Sequence, residues 1–228
     1  MIPPGADRVG GWGLRLLVAA AALECPLGLA CSVGQGEGYV RSPKLFANDC
    51  YRGEFNLEPD FFGANPYGDT LTIRVQRGEQ DIQVSDGITL LVNDVPNARM
   101  HLNEPLSIGL PKGVSPLGFP LPEVPTPPDA SLSLYLNASC RSQNTVLTAY
   151  AGELTFKQLF SGDLNEENSV DRVTDGYLTA SVVDPRDAVA REPSVGGKAY
   201  EFPADRITVI DASFKFVFHR GTPAQPFP

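Results

Sequence analysis

Residues 71–76 read Leu71-Thr72-Ile73-Arg74-Val75-Gln76. Apolar side chains at every second position, with polar ones between, are the mark of a strand that buries one face. Gly78-Glu79 then offers a turn before Asp81-Ile82-Gln83-Val84, so the segment predicts a hairpin over 71–84. Working outward, Ser85-Asp86-Gly87 is a second turn, and Ile88-Thr89-Leu90-Leu91-Val92 has the near-continuous apolar character of a central strand. The same period of two returns at Ala98, Met100 and Leu102, at Leu132, Leu134 and Leu136, and at Phe214, Phe216 and Phe218. Further strands are expected over 145–150, 153–160, 177–183 and 206–210. Past the first thirty residues no window carries a helical stripe, and 22 Gly with 21 Pro interrupt the chain too often for long helices. The expectation is an all-β antiparallel sandwich, or a barrel-like variant, of about nine to ten strands.

The amino terminus follows different rules. Arg8 and Arg15 precede the apolar run Leu16 to Leu23, and Leu27-Gly28-Leu29-Ala30-Cys31 follows. A basic segment, a short apolar core and a small residue before a cleavage point read as an export signal. The run is shorter than the roughly 20 residues that span a bilayer. Ala30-Cys31 resembles a bacterial lipobox, in which the cysteine receives lipid. Gly28, Leu29 and Glu24 depart from that pattern, and cleavage after the alanine cluster would instead leave Cys25 and Cys31 as a disulfide pair. A buried amino-terminal helix of a cytosolic protein is the third reading. The lipobox reading assigns 1–30 to a signal peptide, 31–40 to a flexible Gly-rich tether and 41–228 to a single β-sandwich domain, with Cys31 lipidated.

Cutting before Cys31 leaves 198 residues (228 − 30), and the net charge stays at −9 because Arg8 and Arg15 leave together with Asp7 and Glu24. A chain of this length buries about 70% of its unfolded surface in one core. The acidic balance and the lack of a Lys/Arg cluster exclude a nucleic-acid backbone as partner. Cys50 and Cys140 are expected as a disulfide, since an exported chain folds where such bonds persist. In the chain-entropy account, closing a loop of about 90 residues stabilises by about 4 kcal/mol. Two separate buried thiols are the other option.

Few residues invite chemistry. Ser161 to Asn168, followed by Asp171 and Asp175, crowds oxygen ligands into a turn, which makes Asp163, Asn165, Glu167 and Asp171 weak calcium candidates. The spacing departs from the EF-hand, with Asn168 at the glycine position and Thr174 where the closing Glu belongs. His101 and His219 fall in expected strands, facing away from the core, and no nucleophile motif accompanies them. Asp60, Asp69, Asp94, Glu104, Asp175 and Asp184 stand at expected strand ends, where acid–base carboxylates would lie and where turns also place Asp. Asn137-Ala138-Ser139 matches a glycosylation acceptor in form only. No cofactor motif is present. Two long connections, 111–129 with seven prolines and 184–203, are expected as surface segments.

The carboxyl-terminal Phe216-Val217-Phe218-His219-Arg220-Gly221-Thr222-Pro223-Ala224-Gln225-Pro226-Phe227-Pro228, with Asp184-Pro185-Arg186-Asp187, Ser85-Asp86-Gly87 and Ile73-Arg74-Val75-Gln76-Arg77-Gly78, resembles a group of uncharacterised bacterial cell-surface lipoproteins. The resemblance implies an envelope location, as an outer-membrane lipoprotein, and a β-rich fold; it implies no activity. Two functions follow as expectations. The first is a non-catalytic, lipid-anchored envelope protein that binds or supports a surface protein or glycan. The second is a secreted or anchored hydrolase acting on glycan or peptide through strand-end carboxylates.

Overall fold

The computed structural model describes residues 34–48, 50–78, 81–110, 128–141, 145–190 and 200–218. Among the described residues twelve strands run in chain order: β1 (Gly34–Ala47), β2 (Tyr51–Leu57), β3 (Phe61–Tyr67), β4 (Thr70–Arg77), β5 (Asp86–Val92), β6 (Pro105–Ile108), β7 (Ala130–Leu136), β8 (Val146–Gln158), β9 (Val173–Val183), β10 (Val189–Ala190), β11 (Tyr200–Glu201) and β12 (Thr208–Phe218). A short helix, α1 (Val95–Met100), lies between β5 and β6. Ten strands share one sheet in the order β12-β9-β8-β6-β7-β5-β4-β3-β1-β2, and β10 pairs only with β11. β1 also pairs with β12 along Gly34–Arg41, and Gly34 sits opposite Phe62 of β3. The sheet therefore curls back on itself, and the fold is all-β and barrel-like rather than two flat layers.

Alternation decides what the interior holds. In β12, Thr208, Ile210, Ala212, Phe214, Phe216 and Phe218 are buried while Asp211 and Lys215 face out, as the period-two reading requires. Phe216 stacks on Phe62 at 5.7 Å, Phe218 on Phe160 at 4.4 Å, and Phe214 meets Phe156 edge-on at 6.4 Å. Leu71, Ile73 and Val75 of β4, Ile88, Leu90 and Val92 of β5, and Leu132, Leu134 and Leu136 of β7 complete the same core.

Several sequence expectations need correction. The tether expected over 31–40 is strand from Gly34 onward, because Gly36 and Gly38 lie against β12: a Cβ at either would stand 2.5 Å or 2.4 Å from a β12 carbonyl oxygen. Here glycine serves close backbone approach, not flexibility. The second arm of the hairpin at 81–84 is a 3-10 turn whose cap is the Asp81 carboxylate, and β4 pairs with β5 instead. The expected strand around Ala98, Met100 and Leu102 is α1 and its exit. Asp94 caps that helix and Pro96 stands in its first turn, a start signal that overrides a three-residue alternation. The segments 145–150 and 153–160 join as β8, in which Tyr150 is the extra residue of a bulge. Likewise 206–210 and 214–218 merge into β12, and β9 begins at Val173, inside the stretch expected to be an acidic loop. The leader, Cys31, His219 and most of the proline-rich connection lie outside the described residues.

Phe216→Ala should lower the thermal midpoint far more than Lys215→Ala. Deleting a buried Phe ring typically costs about 3–5 kcal/mol, and roughly 2–4 °C follows per kcal/mol in a domain of this size. Thermal denaturation of both variants is the check, and equal small shifts would mean that the strand faces are assigned wrongly.

Candidate functional site

The β1–β2 turn, the β7–β8 connection and the β9–β12 connection gather at one end of the sheet, since Thr208 pairs with Val182, Thr148 with Val183 and Ala47 with Tyr51. Cys50 and Cys140 are joined there, with Cα atoms 5.6 Å apart. The disulfide expected from the sequence thus ties the first hairpin to the far side of the sheet.

Beside it lies a cluster of charged side chains. Asp184, at the end of β9, is buried; its carboxylate caps the 3-10 turn Pro185–Asp187 through the Arg186 N–H at 2.9 Å and takes the Arg186 guanidinium on both oxygens. That charge is thereby compensated within one turn of chain. Asp187 accepts from Asn48 Nδ2 at 3.3 Å, which links the β9 exit to the β1–β2 turn. Its Oδ2 is buried with no hydrogen-bond partner among the described residues. Burial first, and then the neighbouring Asp184 charge, push the Asp187 carboxyl above its ordinary range, while Arg206 and Arg186 pull the other way. Arg206 packs on the Phe46 ring at 4.3 Å and Arg52 approaches the same ring at 5.0 Å, so two guanidinium groups share one aromatic platform. Phe46 is held in place because its N–H donates to Thr208 Oγ1 at 3.0 Å.

This arrangement can hold and exchange one proton on Asp187 and can present guanidinium groups to an anionic or planar group. Of the carboxylates around Asp187, Asp184 is committed to Arg186 and Asp205 stands 3.5 Å from Arg206, so neither is a free partner for acid–base work. The other strand-end carboxylates are spread over the fold in structural roles. Asp60 accepts from the Gly78 N–H at 3.0 Å, Asp94 caps α1, and Asp175 stands 3.8 Å from Lys215. Asp69 and Glu104 are exposed on turns. His101 is the carboxyl-terminal cap of α1, its Nδ1 2.9 Å from the Asn97 carbonyl, rather than a strand residue.

The calcium candidates are likewise not brought together. Asp171 pairs with Arg99 and accepts from Asn168, and the Arg99 hydrogen bond holds its carboxyl below the usual range. Asp163 turns back on the Asn165 N–H at 2.8 Å. Among the described residues no group of three or more His, Cys, Asp or Glu side chains is placed to share a metal ion.

A buried row with polar members lies on the face of β4 and β7 opposite Leu71, Ile73 and Leu134, where alternation does not mark it. Phe61, Gln76, Gly87 and Tyr135 are successive partners across β3, β4, β5 and β7. A Cβ at Gly87 would stand 2.5 Å from Gln76, so glycine leaves room for the Tyr135 hydroxyl to donate to Gln76 Oε1 at 2.8 Å. The Gln76 amide donates in turn to Ser85 Oγ at 3.3 Å, and Arg74 lies 4.7 Å over the Phe61 ring. Burial, the largest cause, and the Asp86 charge push the Tyr135 hydroxyl far above the ordinary phenol range, although Arg74 counteracts, so it stays a neutral donor. Asp86 and Gly87 of the turn expected over Ser85-Asp86-Gly87 instead open β5, and a glycine within a strand marks such a close approach.

Comparison with family models, curated proteins and solved structures finds no match to this chain.

Replacing Asp187 by Asn isolates the proton-binding group. A raised folded-state pKa means that the native chain holds this proton more tightly than the unfolded chain, so the contribution is favourable in acid and is lost as pH rises through the folded value. Asp187→Asn should therefore match the wild type in acid and become the more stable of the two as pH rises above the ordinary aspartate range. Thermal midpoints measured from acid to neutral pH check this; a constant difference would place no raised carboxyl at Asp187.

Proposed function

We propose that this chain is an exported, lipid-anchored envelope protein with a non-catalytic binding or structural role. The observation that carries the reading is the Cys50–Cys140 disulfide, which suits a compartment where disulfides persist. The leader and Ala30-Cys31 agree with that address and add the anchor. The partners under this reading are a bacterial membrane, through the lipid on Cys31, and a surface protein or glycan met by the domain. The Arg52, Phe46 and Arg206 platform is the part of the described surface best suited to the second contact.

The rival reading, a hydrolase of glycan or peptide, draws on Asp187, whose raised carboxyl suits a general acid. Among the described residues the two carboxylates that act on it each face a guanidinium, Asp184 that of Arg186 and the exposed Asp205 that of Arg206 at 3.5 Å.

Cys31→Ser tests the anchor. Cells given a clickable fatty acid should label the wild-type protein and not the variant, and the variant should move from membrane to soluble fractions. A variant that keeps its label, or stays with the membrane at the wild-type level, would overturn the lipoprotein reading.

A further inference from the structure

We infer that the end of the barrel-like sheet opposite the disulfide lies directly against the lipid surface. The inference rests on the anchor proposed above and adds an orientation and a contact face to it.

Topology defines that end. Gly34 opens β1 opposite Phe218 at the close of β12, and Val217 sits opposite Val173 at the start of β9. The β3–β4 turn, α1 and the β8–β9 connection occupy the same end and are bonded to one another. Val95 N–H donates to the Asp69 carbonyl at 2.8 Å, and Arg99 reaches both the Leu159 carbonyl, at 2.7 Å, and the Asp171 carboxylate. Because β1 begins at Gly34, only Ser32 and Val33 separate it from Cys31. Three residue steps extend no further than roughly 10 Å. A lipid on Cys31 therefore cannot hold this domain at a distance on a tether.

The same connections expose apolar side chains that the core does not use. Tyr67 is 84% exposed, Met100 75%, Val170 57% and Leu164 41%. A tyrosine with flexible and branched apolar groups at the same end of the sheet suits the interface of a bilayer, where an amphipathic ring and aliphatic chains both find partners. Asp163, Glu166 and Glu167 lie on the β8–β9 connection, so this face favours zwitterionic over anionic headgroups. The opposite end also exposes apolar residues, among them Val209, but it lies a strand length from Gly34 and serves as the internal control.

The chain offers a clean probe, because its one tryptophan is Trp12, which export would remove. The exported Met100→Trp, Tyr67→Trp and Val209→Trp proteins, freed of residues 1–30, would be purified from membranes and placed in phosphatidylcholine vesicles with brominated acyl chains. Mass spectrometry of each would record whether Cys31 is acylated. Acylated Met100→Trp and Tyr67→Trp should lose emission and shift to the blue, while Val209→Trp keeps its emission; added phosphatidylglycerol should weaken the loss. Acylated protein with equal quenching at all three positions, or none, overturns the orientation while leaving the anchor intact. A blue shift of Met100→Trp without vesicles would assign the face to a second copy of the chain and also overturns it. If Cys31 carries no acyl group, the anchor reading fails by itself. The face is then upheld only if chain added from solution still shows the Met100→Trp quenching, and is rejected if it does not.

Discussion

The pairing of β1 with β12 is the constraint on which the rest of the fold depends. It joins Gly34–Arg41 to Asp211–Phe218, the first and last described strands. Without it, β12 and β1 would each present a long open edge, the kind of edge that recruits other chains. With it, the Phe214, Phe216 and Phe218 side chains turn inward to meet Phe156, Phe62 and Phe160. The contact is also distant in sequence, so its loop-closure entropy must be overcome before the core rewards it. Gly36 and Gly38 let the two backbones meet at all.

The other end of β1 is held differently. Pro43 cannot donate to a ladder, and the register of β1 against β2 shifts between Ser42 and Leu45. Beyond that bulge the hairpin is fastened by Cys50 to Cys140 and by Asn48 to Asp187. One strand thus carries the closure of the sheet in its first half and the cross-link to the β7–β8 connection just past its second. Truncating an interaction at either end would act on the same element, so the two effects would not be independent.

The periodic segments were the legible part of this chain. In β12 and over most of β5 alternation and burial carry the same information, whereas β4 and β7 also bury Arg74, Gln76 and Tyr135 on their second face. The reading went wrong where backbone geometry, not side-chain polarity, sets the structure. A Gly-rich run has the composition of a linker whether it floats or packs tightly, and only the partner strand decides. At 94–100 the Asp94 cap and Pro96 are a helix-start signal that outweighs alternation over only three residues. The candidate site was less legible still. Asp184 was singled out for its place at a strand end, whereas Asp187, Arg206 and Phe46 meet only because three connections converge, and nothing local in the sequence records that convergence.

That convergence gives the two ends of the molecule unlike chemistry. One end is cross-linked and polar, with Asp184 neutralised by Arg186 and two guanidinium groups on the Phe46 ring. The other is where β1 begins, and it exposes Tyr67 and Met100. An anchor three residues before Gly34 would place the end that carries Tyr67 and Met100 at the lipid and point the cross-linked end outward. The frame of β1 between them would then set the distance at which Arg52 and Arg206 stand from the membrane. A flexible tether would leave that distance undefined. The early start of β1, the feature least expected from composition, is therefore what would turn an anchored domain into an oriented one.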